Sequence, residues 1–157
     1  MIRPARLPQD KPAILAFIKG LQEFERAIEP DRRVDAPVAD EFFAIIVPRV
    51  AERGGAILIA EEKGAAVGWA VVYPEENDVY VLAAERTYAY VSELFVVERV
   101  RGSGVGRALL AACEDWARAK GIGVMMIGVL SGNARADAIY RQSGFEPYAA
   151  QLRKYLR

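Results

Sequence analysis

The sequence predicts an α/β (α+β) fold: a mixed, mostly antiparallel central sheet containing one parallel pair of strands, flanked by about four helices. Three observations predict it. Apolar residues at helical spacing dominate the first third of the chain. Two strand-like runs then meet across a tight turn at Lys63-Gly64, which marks an antiparallel hairpin. Finally a strand, a helix and a buried strand follow one another between Tyr88 and Leu130, an order that makes the two strands parallel neighbours joined by a right-handed crossover. At 157 residues, 53% of them hydrophobic, the chain has the length of one domain covering residues 1–157. No repeat, low-complexity tract or linker divides it.

Ile2 to Arg6 is a short first strand. Asp10 then stands where a helix cap belongs, ahead of a helix from Lys11 to Arg26 with apolar residues at Ile14, Phe17, Ile18, Leu21 and Phe24. A second helix, Val38 to Arg53, places Phe42, Phe43, Ile46 and Val50 on one side; Pro48 should kink or split it and Gly54-Gly55 end it. Ala56 to Glu61 and Ala66 to Tyr73 form the hairpin, and Pro74 closes its second strand. Glu75 to Thr87 is a long loop, with or without an extra strand piece. Tyr88 to Val97 is the next strand. The helix from Gly104 to Lys120 buries Val105, Leu109, Ala112, Cys113 and Trp116 and stops at Gly121. Val124 to Leu130 is a buried strand, Asn133 to Ser143 a short helix stopped by Gly144, and Tyr148 to Leu156 a final strand.

Composition excludes several function classes. The 21 basic residues balance 21 acidic ones, so the chain has no global positive field to attract nucleic acid. There is no histidine, which removes histidine zinc sites, Ser-His-Asp and Cys-His catalysis and an imidazole base; no metal is expected, and acid-base work falls to carboxylates, tyrosine or water. The one cysteine, Cys113, lies on the apolar face of its helix and reads as a buried structural thiol. With no apolar signal core near the N-terminus and no apolar run approaching the ~20 residues that span a bilayer, the expected setting is cytoplasmic and away from membranes.

The stretch Glu93-Leu-Phe-Val-Val-Glu-Arg-Val-Arg101-Gly-Ser-Gly-Val-Gly106-Arg-Ala-Leu-Leu110 carries the most chemistry. An apolar run becomes a glycine-spaced basic loop and then a helix. Glycines let backbone approach phosphate oxygens, and the free amides of a first helical turn point at an anion with the favourable end of the dipole; Arg99, Arg101 and Arg107 add countercharge. The loop is not a Walker loop, lacking Gly-Lys-Ser/Thr, and not the dinucleotide fingerprint, which would need a glycine where Arg107 stands. Spacing alone leaves a pyrophosphate cradle and a plain strand-to-helix connection both open.

A second signature follows one strand later: Asn133-Ala-Arg-Ala136-Asp-Ala-Ile-Tyr140-Arg-Gln-Ser-Gly144-Phe145. Asn133, Ala136 and Tyr140 share one helical face, which could leave room for a ligand; periodicity and capping alone favour Asn133 as an N-cap and Tyr140 as a core aromatic. Together with Arg101-Gly-Ser-Gly104-Val-Gly106, this resembles the GNAT superfamily of N-acetyltransferases. The first signature is similar to that family's Gln/Arg-x-x-Gly-x-Gly/Ala coenzyme loop, and the second to its Asn-x-x-Ala-x-x-x-Tyr-x-x-x-Gly-Phe helix. The match at residue level runs from about Glu93 to Phe145, and the element order matches over nearly the whole chain.

The resemblance implies a GNAT-like sheet whose parallel strands splay apart, with acetyl coenzyme A bound in the gap as cosubstrate. It implies that Arg101, Gly102, Ser103, Gly104, Val105, Gly106 and Arg107 hold the pyrophosphate. The pantetheine arm would lie along the backbone of Phe95, Val96 and Val97 and against the Asn133 side chain, and Tyr140 would meet the leaving sulfur. A backbone N–H near Val96 would polarise the thioester carbonyl. Glu93 is the acidic residue best placed to take the amine proton, directly or through water; as a strand residue it reads equally as a solvent-facing carboxylate.

For the acceptor, the resemblance implies a pocket walled by Glu23 to Asp35 and Glu75 to Tyr90. These segments mix Glu23, Glu25, Glu29, Glu75, Glu76, Asp78 and Glu85 with Phe24, Tyr80, Tyr88 and Tyr90, a composition suited to a small-molecule amine, unless the acids are ordinary solvated charges. Acetylation of a protein amine and noncatalytic coenzyme binding are the other readings, and the resemblance also allows a homodimer.

Overall fold

The chain is described by a computed structural model over residues 1–156; Arg157, the last residue of the expected domain, lies outside the described residues. Five strands form one sheet in the order β1-β2-β3-β4-β5, and all neighbours are antiparallel except the last pair. In chain order the elements are β1 (Ile2–Pro4), α1 (Lys11–Arg26), α2 (Val38–Glu52), β2 (Ala56–Glu62), β3 (Ala65–Glu76), α3 (Ala83–Arg86), β4 (Thr87–Val96), α4 (Val105–Ala119), β5 (Met125–Ile127) and α5 (Ala134–Gln142). No helix among the described residues is long and apolar enough to cross a membrane.

Both faces of the sheet are buried. Ile14, Phe17 and Ile18 of α1 and Ile46 and Val50 of α2 pack on Ile59, Trp69, Val71 and Tyr73; Leu109, Cys113 and Ala117 of α4 pack on Leu58, Val67, Ala70 and Val91 from the other side. This double burial explains why β3 reads as a nearly continuous apolar run rather than an alternating one. Cys113 is fully buried, and desolvation pushes its thiol up to about 12.

Several expectations are corrected. Asp10 does not cap α1: its carboxylate accepts from Arg3 Nη1 at 2.7 Å, Arg3 Nη2 at 2.9 Å and the Arg6 amide at 2.6 Å, so it ties β1 to the start of the helix. Pro48 does not split the second helix, because buried Ile46 and Val50 hold it to the sheet on either side. Pro74 does not end β3, which runs on to Glu76. Pairing with β2 stops at Val72, so Pro74 sits where β3 has only β4 beside it and a missing N–H is tolerated. The segment before β4 folds its last turn into α3.

The expected strand Val124 to Leu130 contracts to three residues. The expected final strand Tyr148 to Leu156 is absent: the segment pairs with no strand, exposes Leu152 and Leu156, and is tethered by Arg153 to Glu29 and Asp31, each at 2.7 Å. A pattern of strand-forming residues needs an edge to pair with, and β5 is too short to offer much of one.

Candidate active site

The cavity forms because two strands part. β5 pairs with β4 only at Ala89↔Met125, Tyr90↔Met126 and Val91↔Ile127; beyond Val91, β4 continues to Val96 bonded to β3 alone. The gap opens into a cavity of about 170 Å³ between α1, β4, the loop after β5 and α5.

A bulge decides what faces it. Val71 pairs with Glu93 while Val72 pairs with Val91, so Ser92 is an extra residue with no opposite number. One inserted residue reverses the alternation downstream. Tyr90 before the bulge and Phe95 after it therefore both pack with the α1/α2 core, and Glu93 falls on that side too. The Ser92 hydroxyl lines the cavity and is buried without a hydrogen-bond partner among the described residues.

The Glu93 carboxyl makes no hydrogen bond or ion pair among the described residues. Burial, reinforced by the charge of Glu25 and opposed by that of Arg49, pushes its carboxyl up to about 8. The side chain is not part of the cavity wall itself. Tyr140 does line the cavity, with its ring 5.9 Å from that of Phe145, and burial, with the charges of Glu25 and Glu93, pushes its hydroxyl up to about 12. Asn133 Oδ1 caps α5 by accepting from the Ala136 amide at 3.1 Å, and the residue also lines the cavity.

In the glycine loop, Gly104 stands at the N-cap of α4 with φ +92°, a conformation that strains any other residue. The amides of Gly104, Val105, Gly106 and Arg107 donate to nothing among the described residues, as expected of an uncapped first turn. Arg101 is arranged differently. Its amide donates to Glu98 O at 3.0 Å, its Nε donates to Val96 O at 2.9 Å, and its guanidinium lies 5.2 Å from the Phe24 ring centre and 5.5 Å from that of Phe95. Its charge thus sits at the α1 side of the strand end. Arg107 hydrogen-bonds Gln142, Arg99 approaches Glu62 at 3.8 Å, and Ser103 Oγ donates to Val100 O at 2.6 Å.

Of the residues singled out in the sequence, Phe95, Val96, Arg101, Gly102 and Gly106 meet Asn133 and Tyr140 around the cavity. Glu93, Val97, Ser103, Gly104, Val105 and Arg107 lie outside its wall. Among the acidic candidates, Glu25 alone lines it. Glu23 approaches Lys19, Glu29 pairs with Arg153, Glu75 with Arg53, and Glu76 with the Thr87 hydroxyl, as solvated charges do. Sequence reasoning passed over Ser92 and Arg135. The i, i+3, i+4 spacing of Leu21, Phe24 and Glu25 was the available signal for the α1 wall; nothing local marked the bulge.

Residues 17–145 match the family model described as the acetyltransferase (GNAT) family. The chain belongs to the GNAT family of acetyltransferases. Among GNAT proteins, it is 33% identical to the uncharacterized N-acetyltransferase YhfO of Bacillus subtilis, over 92% of this chain and 89% of that one. It is 31% identical to the L-methionine sulfoximine/L-methionine sulfone acetyltransferase of Pseudomonas aeruginosa, over 87% of this chain and 75% of that one. A solved structure of a mutant BH1408 protein from Bacillus halodurans superposes with a TM-score of 0.83 at 22% identity, covering 100% of this chain and 99% of the other, a likeness of fold. The mixed sheet and its flanking helices are those of a GNAT acyltransferase.

Proposed function

We propose that this GNAT protein moves the acetyl group of acetyl coenzyme A to a primary amine of a small molecule by direct aminolysis of the thioester. The observation that carries the reading is the parting of β4 from β5 beyond Val91 and Ile127, which leaves a strand edge without a neighbour next to the free amides at the mouth of α4. Those amides suit a pyrophosphate, since four unpaired donors converge at the positive end of a helix dipole. The strand edge at Phe95 to Val97, which has no strand beside it although Val96 O already accepts from Arg101 Nε, and the Asn133 amide nitrogen, which donates to nothing among the described residues, suit the polar pantetheine arm. A relative whose name specifies amino-acid derivatives supports a small amine over a protein one.

The chemistry assigned to each residue follows from its environment. An alkylammonium near pKa ~10.4 gives its proton to a carboxylate near 8 at a cost of about 3 kcal/mol, against about 8 kcal/mol for a carboxylate at 4.5. Burial of Glu93 thus makes its ionised form the better base, a form that is the minority at neutral pH and grows as pH rises through about 8, and because the residue stands behind the cavity wall the proton reaches it through water. The freed amine nitrogen bonds to the carbonyl carbon as the carbon–sulfur bond breaks. A backbone N–H near Val96 steadies the charge growing on the carbonyl oxygen. Tyr140, with its hydroxyl near 12, stays protonated and donates a hydrogen bond to the departing thiolate, which takes the second proton lost by the amine. The buried thiol of Cys113 suits a reducing, cytoplasmic setting.

Calorimetry with acetyl coenzyme A, followed by thiol release with polyamines, aminoglycosides, amino acids and short peptides, tests the reading. Heat of binding and release with a small amine are expected. Release with peptides alone would move the acceptor to a protein, and absence of any heat with the coenzyme would overturn the assignment.

A further inference from the structure

The sheet ends on an unguarded strand. β5 bonds to β4 on one side and to no strand on the other, and Met125, Met126 and Ile127 are each only half-buried. Edge strands ordinarily carry a charge, a proline or a bulge that keeps other chains from pairing with them. The far edge of this sheet does so, with Arg3 and Pro4 in β1. From Val124 to Leu130 there is neither charge nor proline, and the register with β4 holds no bulge. Beside β5 lies a second cavity, of about 450 Å³, whose apolar lining is Ile122, Val124, Met125 and Phe145. Glu146 also lines it and has no ion pair among the described residues. The same chain carries a strand pattern without a sheet. Tyr148, Ala150, Leu152 and Leu156 recur with period two, yet residues 146–156 make no backbone hydrogen bond among the described residues, and Tyr148, Leu152 and Leu156 are 71%, 93% and 88% exposed.

We propose that the open edge of β5 is covered by residues 148–156 of a second copy of this chain, the two copies exchanging tails about a two-fold axis. The chain's own tail passes that edge by: Arg153 draws it to Glu29 and Asp31 at the end of α1. Only Glu146 and Pro147 connect it to the stop of α5 at Gly144-Phe145, and the proline holds the residue before it extended. Short connections of this kind favour exchange between copies over closure within one. The pairs that hold Arg153 are part-exposed, so releasing them costs little. Three residues of β5 are too few to hold a strand unaided, but the cavity beside them adds apolar wall for the alternate side chains Tyr148, Ala150 and Leu152. Lys154, without an ion pair of its own among the described residues, brings the charge that Glu146 of the other copy lacks. Tail and landing surface come to roughly 20 residues from each copy, the size of a stable interface. A two-fold arrangement pairs both edges and both tails at once. The exchange stands apart from the chemistry proposed between β4 and α5.

Light scattering of the full chain at micromolar concentration is expected to give twice the mass of one copy. Leu152→Asp should give the mass of a single copy and a melting midpoint that no longer depends on protein concentration. In a lone chain the same change, at a residue 93% exposed, would alter neither. Exchange is separated from closure within one chain by placing Leu152→Cys together with Val124→Cys, Met125→Cys or Ile127→Cys, oxidising, and comparing masses without reductant. A covalent pair of chains is expected from at least one of the three. A single-copy mass for the parent, a dimer that Leu152→Asp leaves intact, or no covalent pair of chains from any of the three would overturn the exchange.

Discussion

The charge of Glu25 on α1 raises the proton affinity of Glu93 on β4, adding to a larger effect of burial, and the carboxyl reaches about 8 although Arg49 pulls the other way. A carboxyl raised from 4.5 holds its proton in the folded protein where the unfolded chain would release it. The fold is therefore favoured below about 4.5 and loses that advantage as pH climbs through about 8. Glu93→Gln is neutral throughout, so its stability relative to the parent should grow between those two values and level off above. Urea midpoints at acid, neutral and alkaline pH read this directly; a constant offset would contradict the buried state of Glu93. The same variant should lose about 10²-fold in turnover.

Tyr140→Phe keeps the ring against Phe145 and removes only the hydroxyl. Turnover should drop by roughly 10²-fold, the size of a lost donor to a developing anion, while the coenzyme dissociation constant measured by calorimetry moves far less. Unchanged turnover would take Tyr140 out of the reaction.

Asp10 is 7% exposed and holds Arg3, whose Nε also reaches Glu61 at 2.7 Å. Asp10→Asn strips one charge from a largely buried set and should cost about 3 kcal/mol at neutral pH by urea denaturation. The Arg3 guanidinium beside it keeps the Asp10 carboxyl low, at about 2 against an ordinary 3.8. The stabilisation is whole above 3.8 and fades as pH falls through about 2, so the penalty of the variant should shrink in strong acid.

Gly20 faces the Phe95 ring so closely that a Cβ there would stand 2.6 Å from its Cζ. The ring cannot easily withdraw, with Phe17 5.9 Å away on one side and the Arg101 guanidinium at 5.5 Å. Gly20→Ala should cost about 1 to 3 kcal/mol, and Phe95→Leu in the same chain should return part of it. Additive losses would show that the two positions do not meet.

Periodicity placed α1 at its observed ends, Lys11 and Arg26, because Ile14, Phe17 and Ile18 repeat with the helix and go into the core. The turn at Lys63-Gly64 was equally readable: both residues adopt positive φ, which Gly64 takes without steric cost. The site was legible as a loop and a helix, Gly102 to Gly106 and Asn133 to Tyr140, since local spacing sets which residues share a face. Asp10 misled as a cap because its arginine lies on another element, and the tail misled because strand-like composition says nothing about whether an edge is available.

Sequence by itself determined the order of elements from β1 to α5 apart from the single turn of α3, the parallel crossover and the glycine-rich mouth of α4, all of which follow from patterns within one or two turns of chain. Only the tertiary structure decided that Glu93 turns toward α1 and that Arg101 turns back onto Val96, Phe24 and Phe95. A bulge at Ser92 exists only relative to the residues counted on β3, and the protonation of a carboxyl depends on burial and on charges such as Glu25 brought close from distant parts of the chain.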